Sequence, residues 1–76
     1  MDESVLLFIC EYFDANGWAP AYREICDAVG VRSTSTVMKS IYSLDRSGMI
    51  RFGSGPRKIA VTDAGRERVG EMRHGG

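Results

Sequence analysis

Two stretches of helical period, Tyr22 to Val29 and Ser33 or Thr34 to about Ser47, are separated by little more than Gly30-Val31-Arg32-Ser33. This feature restricts the fold more than any other. A three-residue turn opened by glycine sets two helices at a steep angle, the arrangement of a helix-turn-helix. In the first stretch Ile25 and Val29 fall inward. In the second, with Val37 as reference, Ile41 and Leu44 lie within about 40° of it and form the stripe that anchors the helix.

The flanking sequence supplies the rest of a small core. Val5, Phe8, Ile9, Tyr12 and Phe13 recur at core-facing spacing and predict a first helix from about Asp2 to Ala15, ended by Asn16-Gly17. Leu6, Leu7 and Cys10 make its apolar face wider than one contact needs, so a second surface should cover it, either the C-terminal helix or another subunit. Trp18-Ala19-Pro20 is an extended link. After Gly48 the period changes. Met49-Ile50-Arg51-Phe52 and Lys58-Ile59-Ala60-Val61 alternate around the turn chemistry of Gly53-Ser54-Gly55-Pro56, which predicts a β-hairpin with Ile50, Phe52, Ile59 and Val61 on one face. Thr62 caps a last helix, about Asp63 to Met72, with Val69 and Met72 on a thin apolar edge. The expected class is mainly α with a small β-hairpin: a winged helix-turn-helix of three core helices, a wing and an extra C-terminal helix. Residues 1–73 form this domain, and 74–76 form a disordered tail.

Much chemistry is excluded. Cys10 and Cys26 lie in separate helices outside any Cys-x-x-Cys arrangement, and the one histidine, His74, sits beside Gly-Gly. Reduced, buried thiols in a cytoplasmic protein are expected, with no metal, cofactor or catalytic residue. Neither a signal peptide nor a membrane span is present, and no small-molecule ligand is evident. The net charge of zero conceals an asymmetry: residues 1–31 carry −5, residues 32–58 carry +5, and residues 59–76 cancel. A neutral chain with one basic half can still present a phosphate-binding face.

The third helix decides what that half is for. Opposite its anchoring stripe lie Ser35, Lys39, Tyr42 and Arg46, with Met38 at the edge, and no acid among them. Hydroxyls, cations and an aromatic without acids suit a duplex. Residues near the start of such a helix go deepest into the major groove, so Ser35, Thr36, Met38 and Lys39 are the candidate base contacts. Arg32, Ser33 and Thr34, at the helix N-terminus, and Tyr42 and Arg46 further along are candidate phosphate contacts. Arg57 and Lys58 at the hairpin tip suit phosphates or the minor groove. A sequence-specific regulator of transcription, probing double-stranded DNA, is the reading this supports. The competing one is a winged-helix protein-docking module without DNA readout, to which zero net charge and the apolar first helix give some support.

The pattern Gly17-x-x-Pro20-x-x-x-Glu24-Ile25-x-x-x-x-Gly30-x-Arg32-Ser33, followed by Thr34-Ser35-Thr36-Val37 and Leu44-x-x-x-Gly48-x-Ile50, resembles the DNA-binding domain of LexA-type repressors. The match is gapless from about residue 5 to residue 61 and includes Pro56-Arg57-Lys58-Ile59-Ala60-Val61. The resemblance implies a repressor that binds an inverted-repeat operator as a dimer, with Ser33, Ser35, Thr36, Met38 and Lys39 in its base-reading segment. Three departures stand out. Ala21 replaces the Ser or Thr that caps the second helix, which should cost about 0.5–2 kcal/mol unless another group takes over. The family's Ser-Lys peptidase, which cleaves an Ala-Gly bond, has no counterpart here, and Ala64-Gly65 reads as a helix start. Dimerisation in that family comes mainly from the same missing domain. The chain is therefore either a fragment or a free-standing regulator that dimerises by another surface, and the extra helix and broad first-helix face favour the second.

Overall fold

The computed structural model describes residues 2–53 and 59–75, with side chains to Arg73. The order is α1 (Asp2–Asn16), α2 (Tyr22–Val29), α3 (Thr34–Arg46), β1 (Ile50–Phe52), β2 (Ile59–Val61) and α4 (Asp63–Gly75). The three-helix core, wing and additional helix expected from the sequence are all present.

Local signals explain most boundaries. Gly17, Gly30 and Gly48 all have φ between 80° and 85°, the left-handed geometry that stops a helix and that side chains with a Cβ resist. At Gly30 the backbone N–H bonds the Cys26 carbonyl at 2.9 Å, and Val31 bonds the same oxygen at 3.0 Å. Ser33 is the cap of α3, its hydroxyl oxygen accepting from the Ser35 N–H at 3.2 Å, so the helix begins at Thr34. Thr62 does the same for α4, accepting from the Gly65 N–H at 3.1 Å. α4 runs three residues past the expected end at Met72 and its backbone remains helical over His74 and Gly75, expected as tail. Each added residue of an existing helix gains a backbone hydrogen bond without repeating the cost of nucleation.

The missing cap at Ala21 is half replaced. Ala21 offers no side-chain acceptor, but its N–H donates to Glu24 Oε1 at 2.8 Å. The other Glu24 oxygen accepts from the Tyr12 hydroxyl, also at 2.8 Å. Glu24 thus ties the start of α2 to α1, the reciprocal half of a capping box anchored by tertiary contact.

One core joins every element. Val5, Leu6, Ile9 and Cys10 of α1 meet Ile25 and Cys26 of α2, Val37, Ile41 and Leu44 of α3, Ile50 and Ile59 of the wing, and Val69 of α4. The strands pair antiparallel, Ile50 opposite Val61 and Phe52 opposite Ile59. This puts all four expected residues on the inner face, with Arg51 and Ala60 exposed on the other. The surplus apolar face of α1 is covered by α4, whose Val69 is fully buried. Arg66–Asp14 at 3.0 Å, Arg73–Glu11 at 3.4 Å and the close pair Arg68–Glu3 line this contact.

Cys10 and Cys26 are buried free thiols. Burial and then the Asp14 carboxylate push the Cys10 thiol above its ordinary pKa, against the opposing pull of Arg66 and Arg73. It stays protonated near neutral pH, which disfavours thiolate chemistry. Among the described residues, no group of His, Cys, Asp and Glu could hold a metal ion, and no helix is long and apolar enough to cross a membrane.

Candidate nucleic-acid interface

The anchoring stripe of α3 leaves its opposite side free. Val37 and Ile41 are wholly buried and Leu44 nearly so. Turned away from them, Ser35, Lys39 and Arg46 are exposed, and Tyr42 retains 52 % of its surface. Arg32, Ser33 and Thr34 are exposed at the helix start. Ser35, Lys39 and Tyr42 are thus not packed into the interior. Thr36 and Met38 are half-buried, with Met38 packed partly against the core, so each offers only part of its side chain. Arg57 and Lys58 lie outside the described residues.

Electrostatics sharpen the contrast between the two halves. Glu3, Glu11 and Asp14 of α1 are engaged by arginines of α4, which offsets much of the acidity of the first half. Hydrogen bonding to Asp14 and its charge stabilise the protonated Arg66. Among the described residues, Arg32, Lys39, Arg46 and Arg51 make no ion pair. Such cations are available to a polyanion without first breaking an internal contact. Asp45, the single acid of the basic half, is turned to structural use: its Oδ1 accepts from the Phe52 N–H at 3.3 Å, fastening β1 to α3.

The end of α3 is tied to the wing by aromatic contacts as well. Tyr42 meets Phe52 edge-on, centroids 5.7 Å apart at 81°, and Tyr22 flanks Phe52 at 6.5 Å and 31°. Burial, with a smaller contribution from Tyr42, pushes the Tyr22 hydroxyl above its ordinary pKa. In the sequence, Phe52 reads only as an inward wing residue and Tyr22 only as a helix start. Aromatics on three segments are visible in the sequence, but the crossing of those segments is not.

A short-turn helix pair whose second helix exposes an acid-free stripe, with a hairpin beside it, defines a winged helix-turn-helix of the DNA-binding kind. Residues 2–58 match the family model described as LexA DNA binding domain, and the chain belongs to that family. It is 46 % identical over 68 residues to the LexA repressor of Limosilactobacillus fermentum, covering 88 % of this chain and 33 % of that protein. Identity to the LexA repressor of Ligilactobacillus salivarius is 41 % over 69 residues, 90 % of this chain and 34 % of the relative. With that of Caldicellulosiruptor saccharolyticus it is 44 % over 62 residues, 80 % and 31 %. The chain thus spans about a third of the length of these relatives.

Proposed function

We propose that this chain binds double-stranded DNA with sequence preference and represses transcription, with α3 in the major groove. Its activity is binding rather than catalysis, and a cytoplasmic location follows from a DNA target. Ser35, Thr36, Met38 and Lys39 meet base edges. Lys39 donates to guanine O6 and N7, while Met38 and the Thr36 methyl group suit a thymine methyl. Arg32, Ser33, Thr34, Tyr42 and Arg46 hold phosphates and set register, joined by Arg57 and Lys58 from the wing tip. Ser33 can cap and contact at once: its oxygen accepts from Ser35, and its proton remains free for a phosphate oxygen. Two copies on an inverted repeat would set their α3 helices about 34–36 Å apart.

The exposed, acid-free stripe on α3, with its cations unpaired among the described residues, carries this reading. Selection of bound duplexes from a random pool tests it. An enriched inverted repeat is expected, and binding should weaken with salt at a log–log slope near −0.9 per phosphate neutralised. Failure to retain any duplex at low salt would instead favour protein docking. Lys39→Ala should weaken the enriched site by about 1–3 kcal/mol and relax base choice at one position. Unchanged base preference removes Lys39 from the reading role.

A further inference from the structure

The contacts between α3 and the wing make Phe52 more than a hairpin residue. Two side chains of α3, one helical turn apart, converge on it. Tyr42 packs edge-on against its ring, and Asp45 accepts from its backbone N–H at 3.3 Å. On the α2 side Tyr22 packs against the same ring, and across the strand pair Phe52 faces the buried Ile59. The ring is thereby held from the second helix, the third helix and the wing. Tyr42 is the most exposed of the three rings, retaining 52 % of its surface, and among the described residues its ring contact is with Phe52. An exposed tyrosine that must find one rotamer on binding loses conformational freedom, and a ring edge that selects the rotamer beforehand reduces that loss.

We propose that Phe52 is a positioning residue for DNA binding: its ring holds Tyr42 in the orientation from which the phenol reaches a phosphate, coupling the wing to the third helix. The inference rests on the reading that Tyr42 meets a phosphate. Phe52 itself touches no DNA in this scheme. Because neither residue is charged or set for base contact, their effect should fall equally on all sequences and leave the salt slope unchanged.

A double-mutant cycle tests the coupling by fluorescence-anisotropy titration. The probes are a duplex of the sequence enriched from a random pool and a scrambled duplex of equal length. Phe52→Leu, which keeps apolar bulk but removes the ring, should weaken both complexes about two- to tenfold, the range of one aromatic contact. Tyr42→Leu should weaken them at least as much, the double variant little more than Tyr42→Leu, and Phe52→Tyr should bind nearly as the parent. If the two single losses multiply in the double variant, Tyr42 is a contact but Phe52 does not act through it, and the proposal is overturned. If Tyr42→Leu binds like the parent, the phosphate reading of Tyr42 falls and takes the proposal with it. Should circular dichroism show that Phe52→Leu does not fold, Phe52→Met takes its place in the cycle.

Discussion

Gly65 and Gly70 lie on the same helix, and alanine at each should move stability in opposite directions. By helix propensity, alanine is better than glycine in a helix interior by about 1 kcal/mol. At Gly70 nothing lies within 4 Å of the added Cβ, so the propensity gain should appear in full. At Gly65 the Cβ would stand 2.1 Å from the Met49 carbonyl oxygen and 2.9 Å from Val61 Cγ1, both far inside contact distance. The Met49 oxygen cannot retreat freely. It accepts from the Thr62 N–H at 3.1 Å and lies 2.9 Å from the Thr62 hydroxyl, the contacts that pin the start of α4 to the wing. Overpacking costs about 1–3 kcal/mol and each disturbed hydrogen bond about 0.5–1.5, against the gain of about 1. The net loss for Gly65→Ala should be about 2–3 kcal/mol. For a domain of this size, each kcal/mol shifts Tm by about 4–8 °C. Thermal melts followed by far-UV circular dichroism should therefore show Gly65→Ala lowered by about 10–20 °C and Gly70→Ala raised by about 4–8 °C. Equal shifts, or a rise for Gly65→Ala, would refute the close approach of α4 to the Met49 carbonyl.

Two further outcomes concern stability. Ala21→Ser supplies the absent half of the box: the extended backbone at Ala21 suits a capping hydroxyl, and the urea midpoint should rise by the equivalent of about 0.5–1 kcal/mol. An unchanged midpoint would mean that the present Glu24 contacts leave nothing to gain. The Cys10 thiol has its folded pKa raised above the ordinary value of 9.0, chiefly by burial. Its stabilising contribution is therefore fully present below that value and lost as pH rises toward the folded pKa, because the unfolded thiol ionises first. Urea melts at a series of alkaline pH values should show this decline in the parent and a smaller one in Cys10→Ala. Identical slopes would remove Cys10 from the linkage.

The legible parts of this fold were those governed by neighbours in the chain. The Ser33 cap, the left-handed glycines at 17, 30 and 48, the Thr62 cap and the switch from helical to alternating period all act within a few residues. The outward stripe of α3 was legible for the same reason, since 3.6 residues per turn fixes which side chains oppose Val37, Ile41 and Leu44. Exposure beside that stripe was less so. Periodicity gives the angle of Thr36 and Met38 but not the neighbouring elements that half-cover them.

By itself, the sequence determined where the helices begin and end, which faces of them are apolar, and that the positive charge gathers in the middle of the chain. Those properties depend on short-range dihedral preferences and on side-chain period. Tertiary structure alone decided how the charges are used. It brings the α4 arginines to α1 carboxylates 52 to 65 residues away, sets Tyr12 against Glu24, folds α4 over α1, and joins Tyr22, Tyr42 and Phe52. Such pairings form only when separate elements meet around a shared core, and no local preference encodes them.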